Sequence, residues 1–464
     1  MIESEQEYTT KKGILYSLAG FTDVIFIQFF SFLIFTFYYA VVGLNVNLIT
    51  IGFIIWSFWN AINDPMLGAI SDKTSTKWGR RKPYIIAGIF PLMIVNVLLW
   101  TPVMTSELFT FLYFVIIIIV WEFFYTMWNL NQTALFPELF RDLNQRARAN
   151  TIIQFFQIIS LMIAFILPSF FIPKYDDPQY YTNYMLAGIA ISAICAVSAI
   201  LFVKFGFTER IEFSREYEQA PSFFQSLQYT FKNKAFRKYI VATFALWYAF
   251  SMIPTITPLY GSFVLGIDDS LILSLLLAIG FVSAAFFVFI WRSILKKYGA
   301  KKTYIWVLIV FMITLAPFMF ISDIISAFLT FFILGIGLSG ALIIRDVTLS
   351  AIIDEDELST GTRREGGFYG IHGFMIKLTN VFVFISIALV FNSVGWAVFD
   401  PVGTSQETIL GLRSLMFLFP AFFLVLGIIA MLRFPIDKEK YDQLSDQARE
   451  LHEIKKKKVF EQET

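Results

Sequence analysis

The chain holds 464 residues, 57% of them hydrophobic and 15% charged, with a mean hydropathy of +0.68 and a formal net charge of +1. Soluble domains carry about 25% charged residues, so a water-soluble fold is excluded and lipid is the expected solvent. The balanced charge supplies no field for nucleic acid, one cysteine, Cys195, rules out an internal disulfide, and two histidines leave few metal ligands.

A membrane-crossing helix needs about 20 mostly apolar residues. Residues 1–13 are polar, and the apolar run behind them is too long for a cleaved signal and lacks a small-residue cleavage site, so it is expected to remain as the first span. Spans follow in chain order over 14–42, 47–71, 84–103, 108–135, 150–173 and 183–206. After a polar stretch, six more cover 239–266, 271–293, 304–322, 325–350, 366–393 and 409–434. The expectation is an all-α integral membrane protein with twelve transmembrane helices in two six-helix bundles, 1–206 and 239–436. A central loop, 207–238, joins them, and a charged tail, 437–464, is expected to be a solvated helix or disordered.

Lysine and arginine orient the spans. Lys73, Lys77, Arg80, Arg81 and Lys82 follow span 2, and Arg292, Lys296, Lys297, Lys301 and Lys302 follow span 8. The central loop, the tail and the loops after spans 4 and 10 are also basic, whereas the opposite loops offer Lys174, with Arg413 at the edge of span 12. Both termini are therefore expected to be cytoplasmic. The halves echo each other. Lys77-Trp-Gly-Arg-Arg-Lys-Pro-Tyr84 matches Lys297-Tyr-Gly-Ala-Lys-Lys-Thr-Tyr304, and Asp142-Leu-Asn-Gln-Arg-Ala-Arg148 matches Glu357-Leu-Ser-Thr-Gly-Thr-Arg363, at offsets of 220 and 215 residues. Two related halves around a central site is a transporter layout; basic loops on one membrane face also resemble one another for topological reasons alone.

Gly68-Ala-Ile-Ser-Asp72 with Gly79-Arg80-Arg81 resembles the loop between spans 2 and 3 of the major facilitator superfamily. Asn63-Asp64-Pro65, Ala134-Leu-Phe-Pro-Glu-Leu139 and Asp354-Glu-Asp-Glu-Leu-Ser-Thr-Gly-Thr-Arg-Arg-Glu-Gly-Gly-Phe-Tyr-Gly370, followed by Lys377, resemble the glycoside–pentoside–hexuronide:cation symporter family. The resemblance covers nearly the whole chain. It implies a secondary transporter for a sugar-like solute, coupled to H+ or Na+ and working as a monomer without a cofactor. Short loops and cytoplasmic termini suit a prokaryotic plasma membrane.

An ionisable group at mid-membrane costs about 2.5–3.5 kcal/mol, so each one calls for a partner or a role. Asp23, Asp64, Glu122, the pair Arg345-Asp346 and Lys377 fall inside spans. Asn60, Asn63 and Asp64 share one helical face, and their oxygens suit a hard cation or a proton; a helix-packing role for Asn-Asp-Pro is the plainer alternative. The resemblance maps the cation site onto Asn60, Asn63, Asp64 and Thr126, with Asn60 standing where the sodium-coupled pattern has a second aspartate, a change that favours proton coupling or none. Glu122 lies one turn before Thr126 and is the candidate second carboxylate, unless it faces an ordinary polar contact between helices. The resemblance makes Lys377 the link between cation and solute. Physically, a lysine near Asp64 keeps that carboxylate ionised until a cation replaces it; the alternative is an ion pair made for packing.

Sugar sites combine aromatic platforms with groups that exchange hydroxyl hydrogen bonds. The candidates are Asp23, Trp128, Asn129, Gln154, Trp247 and His372 with Lys377, although each tryptophan also suits packing. Asn129, Thr133 and Gln154 replace an aspartate, a tryptophan and an arginine of the family pattern, so the cavity is expected to be less charged than the family's and to suit a different neutral glycoside or an amphiphile with an apolar tail. His372 falls at a sugar-lining position of that pattern, with simple hydrogen bonding as the alternative. Arg345 and Asp346 point about 100° apart on a helix, so they need not pair with each other and read as a gate or a structural ion pair. Asp72, Arg80, Arg81, Glu138 and Arg148 in one half, and Arg363, Arg364 and Glu365 in the other, are candidate cytoplasmic gate partners. An enzyme would need a buried nucleophile, metal cluster or phosphate loop, none of which the sequence carries; a sensor built on the same scaffold is the other rival.

Overall fold

The computed structural model describes residues 2–207, 223–361 and 364–451, apart from 75, 77, 141, 142, 445, 448 and 449. Thirteen helices carry the argument. The first six are α1 (Ile2–Thr36, extended by a π turn Phe37–Val41), α2 (Val46–Lys73), α3 (Lys82–Leu98), α4 (Glu107–Ala134), α5 (Leu143–Ile166) and α6 (Tyr181–Leu201). The polar stretch between the halves contains α7 (Phe223–Lys232). Then come α8 (Lys234–Val264), α9 (Ser270–Leu315), α10 (Ile324–Thr360), α11 (Glu365–Ser393), α12 (Gln406–Met416) and α13 (Leu418–Leu432). Among the described residues ten helical segments are long and apolar enough to cross a membrane, and Lys82–Leu98 is a shorter apolar helix.

Helix ends follow local chemistry. Asn45 and Ser106 cap α2 and α4 by accepting from backbone N–H groups. The 46 residues of α9 are interrupted at Gly299, whose φ of +76° suits glycine and breaks the helix where two separate spans are expected. Span 12 is likewise two helices that meet at Phe417. Inside α2, Pro65 has no N–H to give the carbonyl of Ala61. Two expectations need correction: the central loop holds α7, and α10 runs on to Thr360 through its acidic segment. The tail takes the helical of its two expected forms over 438–444. That tail docks: Lys440 Nζ lies 2.5 Å from Glu355, and Lys438 Nζ donates to the Lys297 carbonyl at 3.1 Å.

The two halves meet through α1 with α8, α2 with α11 and α5 with α9. At the end remote from both termini the α2–α11 seam is fastened by a reciprocal amide pair between Asn47 and Asn392 (2.7 and 3.0 Å) and by Phe53 stacked on Phe384 at 3.6 Å. Tyr39 donates to the Trp396 carbonyl at the same end. Within the C-terminal half, α9 and α10 approach closely where Gly335 faces Ser283 and Ala284; a Cβ there would meet the Ala284 nitrogen at 2.7 Å. Gly335→Ala should lower stability by about 1–3 kcal/mol through overpacking, whereas Gly370→Ala, with open space around it, should leave it nearly unchanged. Thermal unfolding of the two variants in detergent measures the difference.

Candidate functional site

Where α1, α2, α4, α8 and α11 converge, a cavity of about 620 Å³ opens between the halves. Its wall holds the charged cluster that the sequence pointed to. Lys377 Nζ, from α11, donates to Asn60 Oδ1 at 2.5 Å and lies 2.6 Å from Asp64 Oδ2 and 3.2 Å from Glu122 Oε1. Thr126 Oγ1 bridges the two acids, 3.0 Å from Asp64 Oδ1 and 3.3 Å from Glu122 Oε1. Asn63 donates to the Glu122 backbone carbonyl at 3.4 Å, while its own side-chain oxygen is buried without a partner among the described residues. Helix periodicity explains the convergence: Asn60 and Asp64, and Glu122 and Thr126, are each one turn apart on facing helices. Asp64 is 35% exposed and Lys377 29%, but Glu122 only 1%, so all three line the cavity while Glu122 is set deepest in its wall.

With both acids ionised the cluster carries one more negative than positive charge. An ammonium held by oxygens from two helices of the other half is the arrangement a small hard cation would adopt among the same donors. The lysine therefore stands where such an ion could stand.

Elsewhere the candidates divide. Asn129 lines the cavity and donates to Asp23 at 2.7 Å, and Trp247 lines it from α8. Trp128 is fully buried and packs edge-on against Phe202, away from the cavity wall. His372 stacks on Tyr239 and shares a 3.0 Å hydrogen bond with its hydroxyl, behind the wall. Gln154 is exposed on α5 and does not line the cavity. Residues not singled out from the sequence complete the wall: Gln28, Ser31, Trp56, Tyr125, Ser251 and Asn380. Asn380 could have been found, since it lies nearly one turn beyond Lys377; the others look like ordinary residues of apolar helices.

The gate candidates also divide. Arg345 and Asp346 do pair, at 2.9 and 3.3 Å, because the guanidinium fork reaches sideways, and Arg345 also lies 5.4 Å over the Trp247 ring. Arg364 grips Asp356 with two bonds (2.9 and 2.5 Å) and covers the Tyr229 ring at 4.2 Å, tying α11 to α10 and α7. Arg80 and Arg81 are buried and Arg148 is exposed. Arg363, and the side chains of Asp72, Glu138 and Glu365, lie outside the described residues.

Residues 15–438 match the model of a family described as MFS/sugar transport protein. The chain belongs to that family. The transporter is 24% identical to an uncharacterized symporter of Synechocystis over 95% of this chain and 96% of the relative. It is 23% identical to the sodium-dependent lysophosphatidylcholine symporter 1 of Gallus gallus, over 82% and 78% of the two chains. Its fold superposes on the crystal structure of the nucleoside transporter NupG with a TM-score of 0.66 at 14% identity, covering 91% of this chain and 99% of that one.

Removing Lys377 from this transporter leaves two carboxylates facing each other. Lys377→Met should cost about 2–3 kcal/mol of stability, less than the 3–5 of a fully buried pair because water reaches the lysine and Asp64. Adding Glu122→Gln should recover part of that loss. Thermal unfolding of the single and double variants is the measurement.

Proposed function

We propose that this transporter is a cation-coupled symporter of a polar, sugar-like solute that works by alternating access, and that it is captured here open toward the face bearing its termini. One observation carries the reading: a lysine of the second half is held by Asn60, Asp64 and Glu122 of the first. A proton on either acid, or Na+ among Asp64, Glu122, Asn60, Asn63 and Thr126, would cancel the surplus negative charge and weaken the grip on Lys377. The halves are then free to move relative to one another. Coupling follows because the same event reshapes the wall that the solute touches.

Twelve crossings follow if Gly299 divides Ser270–Met319 into two and Lys82–Leu98 also spans. The lysine and arginine bias then puts both termini and the open end in the cytoplasm. A sugar-like solute is supported by indole and phenol surfaces at Trp56, Trp247 and Tyr125 interleaved with the amides of Gln28, Asn129 and Asn380. The second reading, an amphiphile carrier, draws on the lysophosphatidylcholine relative and on the apolar stretch Ile27, Leu130, Phe250 and Pro254 of the same wall.

Thermal unfolding of purified protein across pH 5–8, in sodium or choline chloride, tests the coupling, since a ligand that binds the folded state stabilises it by about 2.7 kcal/mol at a hundredfold excess over Kd. Sodium or acid should raise the midpoint of the parent by a few degrees, and Glu122→Gln should blunt the rise. A parent indifferent to both ions contradicts cation coupling. Repeating the assay with methyl glycosides and with lysophosphatidylcholine separates the two solutes.

A further inference from the structure

The connection between α5 and α6 crosses to the other half in an unusual way. Five consecutive residues, Ile172 to Asp176, each make a bond to the segment that ends α8 and begins α9. The Ser270 hydroxyl donates to the Ile172 carbonyl, and its backbone N–H donates to the Pro173 carbonyl at 3.0 Å. Lys174 Nζ lies 2.7 Å from Asp268. The Tyr175 hydroxyl shares a hydrogen bond with Ser274 Oγ at 2.7 Å, and Ser262 Oγ donates to Asp176 at 3.2 Å. We propose that residues 172–176 form the outer latch of the transporter, a polar strip that holds the extracellular end shut and must release as one unit before the cavity can open outward. The orientation, and hence the word outer, rests on the function proposed above.

Two physical arguments favour a latch over static glue. All five bonds join one half to the other, so separation of the halves at this end breaks all of them together. The groups are also polar, and once separated they can bond to water, so each exchange has a small net cost and the closure is reversible. An apolar seal of the same extent would expose surface that water does not compensate. Within the strip the work is unevenly divided. Tyr175, Asp176, Ser270 and Ser274 are buried, whereas Lys174 and Asp268 are 33% and 71% exposed. Solvent screens that ion pair, so it serves to set the register of docking, and the buried hydroxyl bonds do most of the holding. Lys174 was the lone basic residue between spans on its face, and the latch gives it a role that topology does not.

The native cysteine is buried, so a reporter thiol can be added without removing it. Ser31→Cys places one on the cavity wall, to be labelled by a membrane-impermeant maleimide in right-side-out and inside-out vesicles. The parent reporter should label from the cytoplasmic side; labelling only from outside overturns the orientation, and that is read before any latch variant is made. Tyr175→Phe combined with Ser274→Ala should raise outside labelling about three- to tenfold, the loss of one or more hydrogen bonds, and lower inside labelling. Lys174→Asp should raise it less, and adding Asp268→Lys should restore the parent rate. Unchanged outside labelling in all these variants, with an unchanged unfolding midpoint, overturns the latch. So does a rise from both sides together with a lower midpoint, which marks general loosening.

Discussion

The rest of the molecule depends on one contact, an ammonium from α11 seated among the oxygens of Asn60, Asp64 and Glu122. A lysine inside a bilayer is costly unless its charge is matched, and the match here comes from the other half of the chain. That single choice sets the register of α2 against α11, and under the coupling proposed above an ion competing for the same oxygens would loosen the seam between the halves. It also explains why Glu122, almost wholly buried, is tolerated. The acid has Thr126 on one side and the lysine on the other.

The seam is stratified along α2 and α11. Asn47 meets Asn392 at the outermost tier, Phe53 stacks on Phe384 below it, and Asp64 meets Lys377 at the cavity. Each tier has a different chemistry. The amide pair can trade partners with water, the aromatic stack excludes it, and the ionic tier responds to charge. All three tiers lie on the same two helices, so a shift of α2 against α11 at the innermost tier would displace the others as well.

How much of this was legible in the sequence depends on what each residue had to overcome. Asp64, Glu122 and Lys377 stood out because an ionisable group in an apolar run demands an explanation, and the one-turn spacing of Asn60 with Asp64 and of Glu122 with Thr126 foretold which faces would meet. Trp128 and His372 stayed open between cavity and packing because an aromatic side chain in a helix bundle looks the same whether it faces a cavity or a neighbouring helix, and both take the packed alternative. The extension of α10 to Thr360 was hidden because hydropathy stops at the membrane surface while the helix does not. Arg345 and Asp346 paired despite adjacency because a long side chain can fold back, which backbone angles alone do not reveal.

The docked tail has a consequence for assembly. Lys438 rests against the Gly299 break and Lys440 grips Glu355 at the end of α10. These partners lie far apart along the chain and come within reach only when α9, α10 and the final helices have threaded the bilayer with the same handedness. A hairpin inserted the wrong way round would strand Glu355 across the lipid from its lysine. Segment 438–444 thus ties the Gly299 break to the end of α10, and its two contacts close only where those helices share one orientation.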